Sequence, residues 1–304
     1  MTRAIELSVV IVVLESARRL EDCLAAFARQ TEAPPFEIIV PWDGTHGLMS
    51  AIQSLFPMVR FLPMEGRRTY AELRAAGIRV ATAPVVAITE DHCLPREDWC
   101  AAIVAAHAAA HAAIGGSVEK ETPDTALNWA FYFADYIRYL DPVEGASHHL
   151  TDCNVAYKRS DLDAVAEVWQ REFHENQVHQ ALASGGKSLW LSPRIVVRQK
   201  RHLTWRAALW DRYAFGRLFA STRVQGAPFS RRLLMLASCS ILPFLLVARV
   251  ARHVERTRRY RSNFLAALPA VGAVCTVWAW GEFVGYLTGS PESTLRQEPQ
   301  EASS

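Results

Sequence analysis

An α/β fold built on a mostly parallel, Rossmann-like sheet flanked by helices, followed by a C-terminal helical region associated with a membrane, is what the sequence predicts. Three observations carry that expectation. β-Branched runs alternate with helix-spaced apolar residues through the first third of the chain. The charge changes sign along the 304 residues, although the net charge is only +2. Two long uncharged runs lie in the last quarter.

The first element is Ser8–Leu14 (SVVIVVL), a β-branched run of the kind buried on both faces of a parallel sheet. It is too short for the apolar region of a secretory signal followed by a cleavage site, so a strand is expected and not a leader. Arg18–Gln30 places Leu20, Cys23, Leu24 and Phe27 at helical spacing. Phe36–Val40 is a second strand, closed by Pro41 and the turn Asp43-Gly44. A helix over Gly47–Phe56, a strand over Val59–Leu62, a helix over Tyr70–Ala81 and a strand over Val85–Ile88 continue the alternation. In such sheets ligands bind outside the carboxyl ends of the strands. Trp99–Ile114 is alanine-dense and reads as a helix closed by Gly115-Gly116. Its His107 and His111 lie four apart without an HExxH pattern, and are expected to be ordinary surface histidines. The pair His148-His149 reads as solvated loop. Six scattered cysteines with no CxxC pair suggest neither a disulfide framework nor a zinc ribbon, and point to a reducing compartment.

Residues 1–193 hold 16 Lys/Arg against 25 Asp/Glu, whereas residues 194–262 hold 16 against only Asp211 and Glu255. Such a basic segment usually meets a phosphate-rich surface. Here the arginines are interleaved with apolar runs, which suits anionic lipid and argues against nucleic acid. Leu203–Thr222 sets Trp205, Leu209, Tyr213 and Phe219 among Arg206, Arg212 and Arg217, a mixture suited to a membrane–water boundary or to a helix packed on the preceding domain. Leu233–Ala248 is uncharged, contains Pro243 and has basic flanks on both sides, so a re-entrant or interfacial segment is expected. Ser262–Gly281 has the full length of a membrane span, which needs about 20 apolar residues, and is expected to span or to form a second re-entrant arm.

The sharpest local signal is Thr89-Glu90-Asp91-His92, immediately after the strand at Val85–Ile88. Acidic groups crowded at a strand end repel one another unless a cation or protons neutralise them. A hard divalent ion, held by one or two side chains and completed by water and phosphate, is an economical answer. Glu90 and His92 are two apart and project to one side of an extended segment, while Asp91 points away.

Taken in order, Ser8–Leu14 followed by Glu15, FEIIVPWDGT with Asp43, LRAAGI at Leu73–Ile78 and ITEDHCLP at Ile88–Pro95 resemble the motifs of family 2 glycosyltransferases. The resemblance covers about residues 6–200 and implies the GT-A fold, a nucleotide-sugar-binding Rossmann-like domain. By position, Glu15 matches the polar residue ending the first strand, Asp43 an acid facing the base, and Arg74 the arginine of the family's ARNAGI segment. Glu90 and His92 match the outer members of the Asp-x-Asp element, which with Asp91 would hold ribose, diphosphate and metal. Two departures are visible: this element reads Glu-x-His, and Trp42 replaces the first acid of the family's DDG run. A neutral imidazole is itself a good ligand for Mn2+-like ions. The segment TDCNVAYKRSDL at Thr151–Leu162 resembles one near the acceptor and suggests Asn154 there. FHENQVHQALASGGKSLWLSP at Phe173–Pro193 resembles the segment EDxDLxxRLxxxG, and matching Leu182 and Gly186 to its later leucine and glycine places Glu175 at the catalytic-base position. His202 is matched to a histidine that completes the metal shell in some members.

The resemblance thus implies an inverting, metal-dependent (Mn2+ or Mg2+) transfer of a sugar, hexosyl or related, from a nucleoside-diphosphate sugar. The basic, apolar tail suggests a membrane- or lipid-linked acceptor in cell-envelope glycan or glycolipid synthesis, with the catalytic domain on the cytoplasmic side of the cell membrane. The expected organisation is a GT-A domain over 1–200 and basic, aromatic interfacial helices over 201–232. Two apolar helices over 233–289 with a basic connector at 249–261, and a flexible acidic tail over 290–304, complete it. Two other readings compete: a non-catalytic membrane-anchored scaffold keeping the fold, and a nucleotidyltransferase. The latter would normally carry a glycine-rich loop after the first strand, where this chain reads LESARRLED.

Overall fold

The computed structural model describes residues 4–44, 49–122, 124–224 and 226–290. The chain divides into two compact units, Met1–Lys120 with Asp141–Lys200, and Glu121–Leu140 with Arg201–Ser304. Residues 121–140, expected inside a continuous 1–200 domain, therefore belong with the C-terminal helices. The acidic tail expected over 290–304 lies, apart from Ser290, outside the described residues.

In the first unit, β1 (Leu7–Val12), α1 (Ala17–Phe27), β2 (Phe36–Trp42), α2 (Met49–Leu55), β3 (Val59–Pro63), α3 (Tyr70–Val80) and β4 (Val85–Glu90) follow the expected alternation. The expected start of α2, at Gly47, lies outside the described residues. β1 pairs in parallel with β2 and β4, and β2 with β3. Every residue of β1 and β4 is buried, as a sheet covered on both faces requires. β4 runs two residues beyond the expected Ile88, because Thr89 and Glu90 continue the ladder against Ile11 and Val12. Glu90 is thereby the last residue of a buried strand.

The remaining strands are β5 (Cys93–Pro95), β6 (Ala113–Lys120), β7 (Gly145–Ser147), β8 (Asn154–Lys158) and β9 (Leu189–Gln199). They complete a mixed sheet of order β3-β2-β1-β4-β8-β6-β9-β5, with β7 also on β9. β8 is antiparallel to β4, with Thr89 opposite Asn154, so the start of β8 meets the carboxyl end of β4. Helices α4 (Trp99–Ala106), α6 (Arg159–Asp163), α7 (Ala166–Trp169) and α8 (Glu175–Ser184) belong to the same unit, whereas α5 (Ala126–Asp135) lies in the other.

The long helix expected over Trp99–Ile114 stops at Ala106, and Ala113–Gly116 open β6. Helix propensity loses here to burial in the sheet, because Ala112, Ala113 and Ile114 are fully enclosed. Gly116 is demanded by the register shift between β6 and β9, since a Cβ there would lie 1.8 Å from the Ile195 carbonyl oxygen. His107 and His111 consequently do not share a helix face. His107 is the buried helix cap, its imidazole pushed down to about 4 by burial and by nearby Lys158, and His111 stacks on Trp190. Gly116→Ala is expected to destabilise the first unit by about 1–3 kcal/mol or more, read as a lower urea midpoint.

The second unit gathers α5, a 3-10 turn at Ile137–Tyr139, and α9 (Trp205–Arg223), α10 (Phe229–Ser238), α11 (Leu242–Thr257) and α12 (Arg261–Thr288). α5 buries Leu127, Trp129, Phe131, Tyr132 and Phe133, with Phe133 edge-on to Phe264 of α12 and Trp129 against Tyr260. Its apolar face explains why residues 121–140 leave the sheet unit. Arg212, expected at a lipid boundary or in solvent, is instead buried, paired with Asp135 and stacked 4.0 Å from the Phe131 ring centroid. α9 and α12 approach closely at Gly281, where a Cβ would lie 2.2 Å from the Tyr213 carbonyl oxygen. α12 is 28 residues long and apolar enough to cross a membrane, with 44% of its apolar window buried. α10 and α11 meet at a 61° bend, and together they pass the same test as a broken span or a re-entrant loop.

Candidate functional site

The site grows from the end of β4. Glu90 is 3% exposed, and Asp91 and His92 are fully buried, so three polar side chains in succession require partners inside the protein. Asp91 finds them in the turn after β1. Its carboxylate accepts the backbone N–H groups of Leu14, Glu15 and Ser16 at 3.0, 2.9 and 3.1 Å, and its own N–H donates to Val12. Burial alone would push its acidity down, but the His92 ring and the Leu14 and Glu15 amides outweigh it and hold the carboxyl below the usual carboxylate range. Asp91 was expected to bind the donor. Both its oxygens accept backbone N–H groups, and through them it fixes the β1–α1 turn.

Glu90 faces the other way. Its Oε1 accepts from Arg74 Nη2 at 2.7 Å, and its Oε2 lies 3.5 Å from His92 Nε2. Arg74 comes from the buried face of α3, and its Nη2 also pairs with Asp152 Oδ2 at 2.6 Å. Burial would weaken the charge on Arg74, but Asp152, Glu90 and Glu175 reverse the effect and raise its pKa. Its Nε is buried with no hydrogen-bond partner among the described residues. Asp152 is placed by the antiparallel start of β8, which Thr89 fastens by donating its hydroxyl to the Cys153 carbonyl at 2.8 Å.

Glu175 opens α8, a helix anchored by buried Val178, His179 and Leu182. His179 Nε2 lies 2.8 Å from the Tyr157 hydroxyl, tying the helix to β8 one turn below Glu175. Burial, then Asp152, push the Glu175 carboxyl up to about 7, against the lowering effect of Arg74. Glu90, Arg74, Asp152 and Glu175 thus converge from β4, α3, the β8 entry and α8.

Two further expected residues lie on the same edge of the sheet. Glu15 follows β1 and is 8% exposed, and Asp43 follows β2 and accepts the Arg68 N–H at 2.8 Å. Asn154, expected near the acceptor, is a core residue. It accepts from Trp99 Nε1 and donates to the Ser117 and Ile195 carbonyls, with no surface exposed. His202 belongs to the second unit.

Sequence reasoning missed Asp152, although it stands two residues before Asn154 in the same segment. The signal was the antiparallel return of β8, which places residues before that strand, not those in it, at the sheet's carboxyl edge. It also missed Cys93: Glu90, His92 and Cys93 each offer a ligand atom within 4.8 Å of the others. That donor set of carboxylate, imidazole and thiol suits a divalent ion.

A family model described as glycosyl transferase family 2 matches residues 8–166. Among solved structures, the mannosyltransferase PcManGT from Pyrobaculum calidifontis, in complex with GDP-Man and Mn2+, superposes with a TM-score of 0.57. The match has 18% identity and covers 94% of this chain and 88% of that one, a likeness of fold. No curated protein matches.

Proposed function

The chain belongs to glycosyl transferase family 2, and from that premise we propose that it is an inverting glycosyltransferase moving a sugar from a nucleoside-diphosphate sugar to a membrane- or lipid-linked acceptor. The observation that carries this reading is the convergence of Arg74, Glu90, Asp152 and Glu175 at the carboxyl edge of the sheet. Glu175 is the general base: it takes the proton of the acceptor hydroxyl as that oxygen attacks the anomeric carbon. The bond from that carbon to the diphosphate breaks, and its electron pair leaves on the diphosphate oxygen. Arg74 supplies fixed positive charge for the departing group, and its unpartnered Nε is a donor ready for an anion. Glu15 and Asp43 meet the nucleotide from the ends of β1 and β2, and Asp91 acts on it only through the turn it holds. A divalent ion held by Glu90 and His92 would stabilise charge on the diphosphate.

The membrane part of the proposal rests on the second unit. Phe229, Leu233, Leu234, Ile241, Phe244 and Leu245 are more than half exposed around the bend between α10 and α11. Arg231-Arg232 and Arg249, Arg252 and Arg256 flank that apolar stretch. A wedge dipping into the lipid with arginines at headgroup level fits this pattern, and each basic residue gains about 1 kcal/mol near an anionic leaflet. The positive flanks favour the cytoplasmic side of the cell membrane. The full-length protein is expected to sediment with vesicles containing phosphatidylserine, and less so as salt rises. A protein left in the supernatant with anionic and neutral vesicles alike would refute this part.

Calorimetric titration with UDP and GDP, with and without Mn2+, tests the donor site. A transferase is expected to bind one of them more tightly with the ion present. No nucleotide binding in either condition would favour the scaffold reading.

A further inference from the structure

The turn that separates β4 from β5 brings unlike donors together. Glu90 closes β4, Cys93 opens β5, and His92 lies between them. Their ligand atoms fall within 4.8 Å of one another, with Glu90 3% exposed and His92 and Cys93 fully buried. The turn is fixed, because Asp91 at its centre is bound by three backbone amides of residues 14–16. An arrangement held in this way is preorganised for a ligand.

A second observation points to the same place. Gln199 is the antiparallel partner of Cys93 across β5 and β9. Directly opposed residues on neighbouring strands present their side chains to the same face, about 5 Å apart at Cβ. Gln199 is fully buried, yet neither its Oε1 nor its Nε2 has a hydrogen-bond partner among the described residues. A buried primary amide with both ends unsatisfied is costly, and its place beside the Cys93 thiol suggests what it awaits.

We propose that Cys93 is a metal ligand, completing with Glu90 and His92 a carboxylate–imidazole–thiolate site selective for a borderline ion of the Zn2+ or Co2+ class over Mg2+. The idea that this ion serves sugar transfer rests on the reading given above; the site itself does not. On binding, the Cys93 sulfur forms a bond to the ion and its proton passes to solvent. Three protein ligands would leave room for water or substrate on a Zn2+-like ion, as catalytic sites do. Thiolate favours the softer ions, whereas Mg2+ demands octahedral oxygen ligands and retains water. The Gln199 amide then donates to the thiolate from the neighbouring strand, an outer-shell role.

The test is a Co2+ titration of the reduced, metal-free, full-length protein, followed by absorbance. The wild type is expected to show a near-ultraviolet thiolate-to-cobalt charge-transfer band together with visible ligand-field bands. Cys93→Ser should abolish the first while keeping the second, and Gln199→Ala should weaken Co2+ binding by about 10–100-fold. Cys23→Ser and Cys153→Ser, which remove the two neighbouring buried thiols, should keep the charge-transfer band. Zn2+ should displace the cobalt and Mg2+ in large excess should not. Wild-type protein that shows ligand-field bands without charge transfer, or a band that survives Cys93→Ser, overturns the proposal. Absence of all cobalt bands in a protein that turns over a donor sugar overturns the site and leaves the transferase reading standing. A Cys93-dependent band in a protein that turns over no donor supports the site and removes the transferase reading.

Discussion

Replacing Glu175 by glutamine is expected to lower turnover by about 10²–10⁴-fold, the usual contribution of a positioned general base, with little change in donor affinity. The base works only when ionised, and its carboxyl is pushed up to about 7 by burial and by Asp152. Turnover should therefore rise as pH rises through about 7, and fall below it. Glu175→Gln should erase that limb of the profile. The stability sign is the reverse: a carboxyl raised in the folded state favours folding while protonated and disfavours it as pH climbs through its folded value. The glutamine variant is therefore expected to be at least as stable as the wild type above pH 7. Loss of turnover without loss of stability separates a catalytic role from a structural one. A Glu175→Gln protein that keeps full turnover would show the assignment to be wrong.

The second large effect concerns stability. Asp91→Ala removes a charged acceptor from three backbone amides, one buried and two partly buried, and each such hydrogen bond contributes about 1.5–3 kcal/mol. Allowing for non-additivity, a loss of about 3–6 kcal/mol is expected. That is a large share of the roughly 5–15 kcal/mol holding a typical domain, and should appear as a fall of roughly 10–20 °C in Tm. Asp91→Asn keeps one acceptor oxygen and should recover part of it. Because the folded carboxyl is held below its ordinary value, its contribution is present above the unfolded value, about 3.9, and is lost as pH falls through the folded one. A variant melting with the wild type would contradict the role of Asp91 in fixing the β1–α1 turn.

Most of the parallel half of the sheet was legible because β1, β2 and β4 carry β-branched runs whose burial leaves little choice of conformation. The first residue of the reactive edge, Glu90, was legible for the same reason: it follows such a run directly. The antiparallel half was less so. Ala113–Gly116 follow an alanine-dense run and end in a helix-ending glycine pair, and only the tertiary fact of a strand packed against Ile195 makes them β. Asn154 and Asp152 show how a local motif misleads by two residues. The segment was recognised, but which residue faces solvent depended on where β8 begins. Asp91 illustrates a related limit, since its three partners lie about 75 residues away in the chain. The excursion at 121–140 was invisible because α5 is apolar enough for any core, and its sequence does not name the unit that buries it.

The most direct test of the whole account is a turnover screen of the full-length protein against UDP-, GDP- and TDP-sugars, following release of the nucleoside diphosphate. Release from one nucleotide class, reduced about 100-fold or more in Glu175→Gln, is the expected result. No release from any class, or release that Glu175→Gln leaves unchanged, would contradict it.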